Sequence, residues 1–293
     1  MEHIDVAVTG GGQSGLTAAH ALLRRGLRPV VLEAPGRAAG SWPHCYDSLT
    51  LFSPARYSSL PRCRSQALTA TATRTADEVV TYLTTHADRL AAGIRTDCRV
   101  TVVRRSGDGF AVELEGGGQL SARARKVRSP AHPRPRPAPL DGRTGLDTAP
   151  LGPLVAHPPT QPVIDDGRYR AALATGRPDR RPPFTGADGA KLVWPDGQRE
   201  EVDAIVLTTG YRSDLPYLAG LDGALDAEGN PQHREGLATG MPGLAFVELE
   251  WQRSLSSNSL RGVGRGAEGS PGPWPPISHV GDGPPLLVRH VST

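Results

Sequence analysis

Apolar and polar positions at the start of the chain follow the pattern of a strand, a helix and a second strand. Residues 4–9 (IDVAVT) form a short apolar run of the strand type. Apolar residues then recur at helical spacing over 16–25, and Gly26 follows as a natural helix end. Residues 28–33 (RPVVLE) form a second apolar run that ends in an acid. The pattern predicts a β-α-β unit.

The turn between the first strand and the helix carries the spacing G-x-G-x-x-G. Gly10 allows a tight turn, Gly12 lets the backbone approach a pyrophosphate, and Gly15 lets the helix pack close to the strand. Gln13 and Ser14 lie between the last two glycines. The unpaired N–H groups of the helix start, together with the helix dipole, favour a negatively charged group there.

Glu33 lies eighteen residues after Gly15, where a carboxylate can accept hydrogen bonds from ribose hydroxyls. A glycine spacing alone is weak support for a nucleotide site, but here strand, helix, second strand and acid are all in register. The alternative is a ligand-free glycine-rich turn with Glu33 as a solvated strand end, which leaves the coincidence of these parts unexplained. We therefore predict a dinucleotide site.

Further elements are predicted downstream of this unit. Residues 76–90 have helical spacing, with Thr75 as N-cap and Glu78 at the capping-box position. The remaining predicted elements are strands at 99–105, 110–115 and 119–127, which form a β-meander; a hairpin of 191–194 with 199–206, whose second strand extends through 207; and a last strand at 243–247.

Three stretches, 62–74, 127–140 and 266–293, lack any periodicity. Prolines in 129–139 (SPAHPRPRPAP) exclude a helix or a central strand and indicate a polyproline-like linker. From residue 266 onward a disordered tail is expected. We hypothesise that frameshifts and an internal deletion in GC-rich DNA produced these stretches. Resequencing that returned the same uninterrupted frame would refute this.

Composition narrows the possible functions. Apolar residues make up 38% of the 293, and the net charge is +3. Arginines are numerous but dispersed, so a nucleic-acid partner is not expected. Cys45, Cys63 and Cys98 are far apart without a C-x-x-C pair, which argues against a disulfide framework and a disulfide reductase. No apolar run approaches ~18 residues, and no signal peptide is recognised, so a cytoplasmic protein is expected.

The order of motifs is more specific than any one of them. The glycine turn and Glu33 are followed by Gly40-Ser41-Trp42 and by residues 47–54 (DSLTLFSP). This order resembles the FAD domain of flavin-containing monooxygenase-like oxidoreductases. Ala39 stands where that family usually has another glycine.

The resemblance implies the fold and the cofactor contacts. The fold would be α/β, a Rossmann-like three-layer FAD-binding domain with a β-meander insertion. Gly40, Ser41, Trp42 and Leu49 would run along the FAD, and the backbone of Val100 would pass the adenine.

A second family signature implies further FAD contacts near the end of the chain. Residues 208–211 (TTGY) resemble the strand end at which Thr209 and Gly210 would approach FAD. Residues 250–262 resemble the final flavin-side segment, and Glu248 stands where the family tends to have glycine.

The family's second dinucleotide domain, for NADPH, is not recognisable. Residues 262–267 (GVGRGA) match a glycine fingerprint literally, but no clear strand precedes them and no periodic helix follows. The NADPH domain is thus expected to be deleted or replaced. The expected layout is 1–128 and 190–265 as the two parts of the FAD-binding domain, 129–189 as linker and remnant, and 266–293 as tail.

The resemblance implies an FAD-dependent oxidoreductase of flavin monooxygenase type, acting on a small molecule with NADPH as reductant. One alternative is an inactive FAD-binding remnant that cannot use NADPH. Another is an NAD-dependent dehydrogenase, for which no catalytic pair is found. His44 and His86 are isolated and expected to be structural, and Ala190 replaces the histidine of the family's F-x-G-x-x-x-H pattern. No catalytic residue, metal site or oligomeric state is assigned.

Overall fold

The computed structural model describes residues 1–51, 55, 58–60, 73–122, 167–206, 213–260, 262–264 and 286–289. The chain divides into two compact units, one of Met1–Pro158 with Arg212–Thr293 and one of Pro159–Tyr211. The elements of the larger unit are β1 (Glu2–Ile4), β2 (Val6–Thr9), α1 (Gln13–Leu23), β3 (Pro29–Leu32), α2 (Ala76–Asp88), β4 (Gly93–Arg95), β5 (Val100–Ser106), β6 (Gly109–Leu114), β7 (Gln119–Ala122), β11 (His233–Arg234), β12 (Leu237–Ala238), β13 (Leu244–Val247) and β14 (Leu286–Arg289). Those of the smaller unit are α3 (Arg168–Ala174), β8 (Gly186–Asp188), β9 (Lys191–Val193) and β10 (Arg199–Glu201).

A seven-stranded sheet in the order β11-β12-β13-β14-β2-β3-β4 forms the centre of the larger unit. The strands from β13 to β4 run parallel, and β11 and β12 extend the sheet antiparallel at one edge. Successive side chains of a strand point to opposite faces, and the core follows that rule. In β2, Val6 and Val8 pack with α1, whereas Ala7 packs on the opposite face.

The β-meander supplies the third layer. Strands β5, β6 and β7 pair antiparallel, and β1 joins β7 in parallel to give a four-stranded sheet. Its apolar side chains, including the fully buried Phe110, meet the face of the central sheet that α1 does not cover. The predicted α/β three-layer domain with a β-meander insertion is confirmed.

Helix α2 begins with the predicted capping box. The hydroxyl of Thr75 accepts a hydrogen bond from Glu78 N at 3.3 Å, and Thr75 N donates to Glu78 Oε2 at 2.9 Å. The buried face of α2, with Val79, Tyr82 and Leu83, packs on Leu16 of α1 and on the loop residues 38–39. This group of side chains, the α1–α2 cluster, connects α2 to the loop that carries Gly40 and Ser41.

Two strand predictions need correction. The run 4–9 is two strands rather than one, because Asp5 forms a bend and its carboxylate accepts hydrogen bonds from Arg28 N and Nε at 3.2 and 3.0 Å. The hairpin of β9 and β10 is confirmed, but its second strand ends at Glu201. Val206 is 81% exposed, so the extension through this residue has no sheet to join.

The tail prediction is wrong for residues 286–289. This segment forms β14, which lies between β13 and β2 and pairs in parallel with both. Two neighbouring strands with open edges supply the hydrogen-bond partners that four residues by themselves lack. Residues 266–285 and 290–293 of the expected tail lie outside the described part.

The smaller unit contains α3 and the three-stranded antiparallel sheet β10-β9-β8. It includes residues 190–206, which the resemblance assigned to the FAD-binding domain, together with described residues of the expected linker. Within the described ranges, no helix is long and apolar enough to cross a bilayer.

Candidate functional site

A cavity of about 530 Å³ lies in the larger unit, where β2 and β3 end. Because both strands are parallel, their carboxyl ends meet at one edge of the sheet, which is where open α/β sheets bind ligands. The volume is within the range of small-molecule sites. Its lining comes from five segments: Thr9 and Gly10; Leu32, Glu33, Ala34 and Pro35; Gly40, Ser41 and His44; Cys98, Arg99, Val100 and Thr101; and Asp214, Pro216 and Tyr217.

The glycine turn has the geometry that its spacing predicts. Gly10 has φ of 92°, a value open to glycine, and its N–H donates to Leu32 O at 2.8 Å. A Cβ on Gly15 would lie 1.8 Å from Gly10 O, so only glycine lets α1 start this close to the turn. Gly12 is the N-cap of α1 and provides no side-chain cap.

Glu33 presents a buried carboxylate beside this turn. Its side chain is 3% exposed, and Oε2 accepts a hydrogen bond from Gly11 N. Its backbone is held from both sides, since Glu33 N donates to Arg95 O at 2.8 Å and Cys98 N donates to Glu33 O at 2.9 Å. The carboxylate is therefore fixed at the end of β3 and lines the cavity.

Several polar atoms around the start of α1 are buried without a hydrogen-bond partner. They are Thr9 Oγ1, Gln13 Oε1 and Ser14 Oγ. Gln13 Nε2 does have partners, Glu248 Oε1 at 2.6 Å and Asn258 O at 3.4 Å. The segment after β13 thus reaches the start of α1. Buried polar groups are nearly always hydrogen-bonded in native proteins, so these three atoms indicate a polar ligand.

The structure brings most of the sequence-predicted residues together. Gly10, Glu33, Gly40, Ser41 and Val100 line the cavity. The second group, Gly12, Gln13, Ser14 and Gly15, forms the adjoining turn and first helical turn.

Trp42 and Leu49 are not part of the cavity lining. Trp42 packs against the cluster that joins α1 to α2, and Leu49 O accepts from Ala76 N at 3.1 Å. Thr209 and Gly210 lie outside the described residues. Ala39 is completely buried in the α1–α2 cluster, so its methyl group is accommodated in the core.

Sequence reasoning missed Arg99, Asp214 and Tyr217, as well as the position of His44 in the lining. Arg99 immediately precedes Val100, so the predicted contact of Val100 could have led to Arg99 as a lining residue. Tyr217 lies in a short 3-10 helix, Pro216–Leu218, and Asp214 comes just before it; no motif marks either residue. Cys98 also lines the cavity, and burial raises the pKa of its thiol, which disfavours the reactive thiolate. In the described part of the chain, no three metal-ligating side chains gather.

The site fits an FAD in three respects. Gly15 lets α1 start close against the turn at Gly10, Glu33 offers a carboxylate at the cavity wall, and the start of α1 has unsatisfied polar atoms. These are the groups that an adenosine diphosphate moiety needs.

Comparison with known proteins finds oxidoreductases and flavin monooxygenases. A CzcO-like oxidoreductase of Geobacillus kaustophilus is 22% identical over 344 residues, which cover 92% of this chain and 97% of that protein. The solved structure of a flavin-containing monooxygenase from Stenotrophomonas maltophilia matches with a TM-score of 0.69 at 27% identity, covering 96% of this chain and 98% of that one. Rice YUCCA1, an indole-3-pyruvate monooxygenase, is 34% identical over 134 residues, 44% of this chain and 32% of that protein. No protein-family model matches.

The three-layer fold and the glycine turn at the sheet edge define a Rossmann-like oxidoreductase domain of the FAD-binding class. Within that class, the chain is similar over more than nine-tenths of its length to a CzcO-like oxidoreductase and to a flavin-containing monooxygenase. This similarity and the fold support an FAD-dependent oxidoreductase of the monooxygenase type. Among the described residues, no second strand–glycine turn–helix unit is present.

Proposed function

We propose that the cavity at the ends of β2 and β3 binds the adenosine part of FAD. The observation that carries this is the meeting of Gly10, Glu33 and Val100, three distant positions, around one cavity of about 530 Å³. Glu33 would accept from the ribose hydroxyls, and the Val100 backbone would lie along the adenine. Gly40 and Ser41 form the wall near the turn.

The pyrophosphate would be bound by backbone rather than by cations. Gly12 precedes the free N–H groups of the first turn of α1, where the helix dipole favours an anion. Ser14 Oγ is buried there without a partner and can donate to a phosphate oxygen. Gln13 would orient the segment around Glu248 and Asn258 against this end of the cofactor. Trp42, Leu49, Thr209 and Gly210 remain proposed contacts on the flavin side.

The cofactor, when bound, would supply hydride acceptance and reaction with O₂, while the chain binds, orients and excludes water. The substrate would be a small molecule, and the working location the cytoplasm. NADPH is the proposed reductant because the resemblance to flavin-containing monooxygenase-like oxidoreductases implies it. We propose residues 1–128 and 190–265 as the FAD-binding domain and 129–189 as the replacement of the NADPH domain.

The visible spectrum of the purified full-length protein tests cofactor binding. We expect a yellow protein with FAD near one per chain. Glu33→Gln removes a charged acceptor, so FAD affinity should fall by at least about ten-fold, the effect of losing a charge-assisted hydrogen bond. Glu228→Gln, at an exposed position outside the cavity lining, is the matched control. A colourless wild-type protein, or equal FAD binding by the Glu33 variant, would refute the assignment.

Anaerobic addition of NADPH to the yellow protein tests the reaction. Bleaching of the flavin absorbance indicates that the chain accepts hydride without a recognisable NADPH domain. A yellow protein that stays yellow with NADPH but bleaches with dithionite indicates the inactive FAD-binding remnant. The two outcomes distinguish activity from binding on one sample.

A further inference from the structure

Arg74 is a buried arginine next to the start of α2. Its side chain is 8% exposed, and its guanidinium carbon lies 4.6 Å from the centre of the Tyr82 ring. Stacking on an aromatic face is a common arrangement of arginine, and it leaves the edge of the planar guanidinium available for hydrogen bonds.

That edge has no partner. Among the described residues, Arg74 Nε and Nη2 are both buried and neither makes a hydrogen bond. These two nitrogens form one side of the guanidinium, and their N–H groups point in the same direction. Such a pair matches the two oxygens of one carboxylate in a bidentate contact. Arginine stays charged in proteins, so the edge carries a positive charge that calls for an anion.

In the described part of the chain, no acid pairs with Nε or Nη2 of Arg74. Glu78, four residues away, has its carboxylate engaged by Thr75 N in the capping box of α2. Structural arginines are normally paired when buried, because an unpaired buried charge is costly. The unpaired edge therefore indicates a ligand rather than a structural ion pair.

The groups around Arg74 favour a carboxylate over a phosphate. Tyr82 covers one face of the guanidinium, and Leu60 N donates to Tyr82 Oη at 2.7 Å. Ser59, next to Leu60, also has a buried hydroxyl without a hydrogen-bond partner. A phosphate would need more positive charge or a row of free N–H groups, and the first turn of α2 is already capped by Thr75.

The arginine also adjoins the proposed flavin side. Leu51 N donates to Arg74 O at 2.7 Å, and Thr50 pairs with Thr75 in an antiparallel bridge. Leu49, a proposed FAD contact, accepts from Ala76 N in the same pairing. A ligand held by Arg74 would thus lie beside the segment that runs along the cofactor.

We propose that Arg74 binds the carboxylate of the substrate, so that the substrate class is a small carboxylic acid. The statement of substrate class rests on the proposed FAD function, but the binding of a carboxylate does not. Arg74 holds the anion through Nε and Nη2, and Tyr82 supports the guanidinium.

Titration calorimetry on the purified full-length protein tests the site, with benzoate and its uncharged analogue benzamide as probes. Benzoate should bind at least about ten-fold more tightly than benzamide. Benzamide is uncharged and has only one carbonyl oxygen, so it cannot form the bidentate contact with the guanidinium. Arg74→Met should remove this preference. Arg89→Met, which removes the same charge from an exposed position at the end of α2, should keep it.

Each remaining outcome decides the proposal. Equal binding of benzoate and benzamide by the wild type, or unchanged preference in the Arg74 variant, overturns it. Displacement of benzoate by inorganic phosphate at lower concentration overturns the carboxylate class. If Arg74→Met does not fold, Arg74→Lys keeps the charge without the planar fork, and it should lose most of the preference.

The flavin content of the same samples, read from the visible spectrum, separates the two proposals. A colourless protein that prefers benzoate through Arg74 overturns the FAD site and retains the carboxylate site. A yellow protein that binds benzoate and benzamide equally retains the FAD site and overturns the carboxylate site.

Discussion

Glu248 has a left-handed backbone conformation, with φ of 73°, that side chains other than glycine rarely adopt. Its carboxylate accepts from Gln13 Nε2 at 2.6 Å, so a negative charge is held beside the first residue of α1. In the resembled family this position tends to be glycine, and the backbone angle supplies a physical reason for that preference. The carboxylate also competes with any phosphate for the positive end of the helix.

We expect Glu248→Gly to bind FAD several-fold more tightly than the wild type. The change removes a charge close to the proposed pyrophosphate position and relieves backbone strain of about 1 kcal/mol. Quenching of flavin fluorescence during titration measures the affinity, and urea unfolding measures the stability.

Glu248→Gln separates the two contributions, since it removes the charge and keeps the backbone strain. It should share the gain in FAD affinity without the gain in stability. Weaker FAD binding by the glycine variant would show that the contact with Gln13 supports the site instead of opposing it.

At the residue scale, the sequence predicts what a local spacing encodes and no more. Gly10, Gly15 and Glu33 could be identified because a tight turn, a close approach and a strand end each require one residue type. Tyr217 could not, since it reaches the cavity from a three-residue 3-10 helix more than a hundred positions further on. Arg74 was missed because a buried, unpaired guanidinium has no sequence pattern.

At the scale of elements, α1 and α2 were predictable because periodicity and caps are local properties. The packing of the two helices against each other was not predictable from the sequence. This packing buries His86, a histidine that stands isolated in the sequence. His86 is 6% exposed, and its pKa is lowered to about 4 by burial, by His20 of α1 and by Arg89. The two helices therefore pack with this histidine uncharged.

The low pKa of His86 predicts an acid-sensitive contact between the two helices. The unfolded chain binds a proton at His86 near pH 6.5, whereas the folded chain binds it only near pH 4. Stability should thus be complete above pH 6.5 and fall as the pH drops through this window, by up to about 1.4 kcal/mol per pH unit. Urea unfolding at pH 7 and pH 5 measures the slope.

His86→Leu should flatten this slope, because it removes the group whose proton binding differs between the two states. His3→Gln, which replaces an exposed histidine on β1, should leave it unchanged. A slope that persists in the His86 variant would assign the acid sensitivity to other groups.

At the scale of the whole molecule, the central sheet combines segments from both ends of the chain. The order β13-β14-β2 places the last described strand next to the first strand of the nucleotide site. Periodicity could not predict this, because a four-residue run becomes a strand only when two open edges accept it. The resemblance had assigned a flavin-side strand end to residues 208–211, and the described residues before it, 204–206, belong to no strand.

The position of β14 predicts that folding depends on its backbone. Val288 lies opposite Phe246 on one side and Thr9 on the other. Val288→Pro removes an N–H from a strand that has partners on both sides and leaves a buried carbonyl unsatisfied, at a cost of about 1–3 kcal/mol. We expect a large loss of stability in urea unfolding and a loss of bound FAD, since β2 carries the glycine turn. Val288→Ala keeps the N–H and should retain both. Wild-type stability in the proline variant would mean that β2 and β13 hold the nucleotide site without β14 between them.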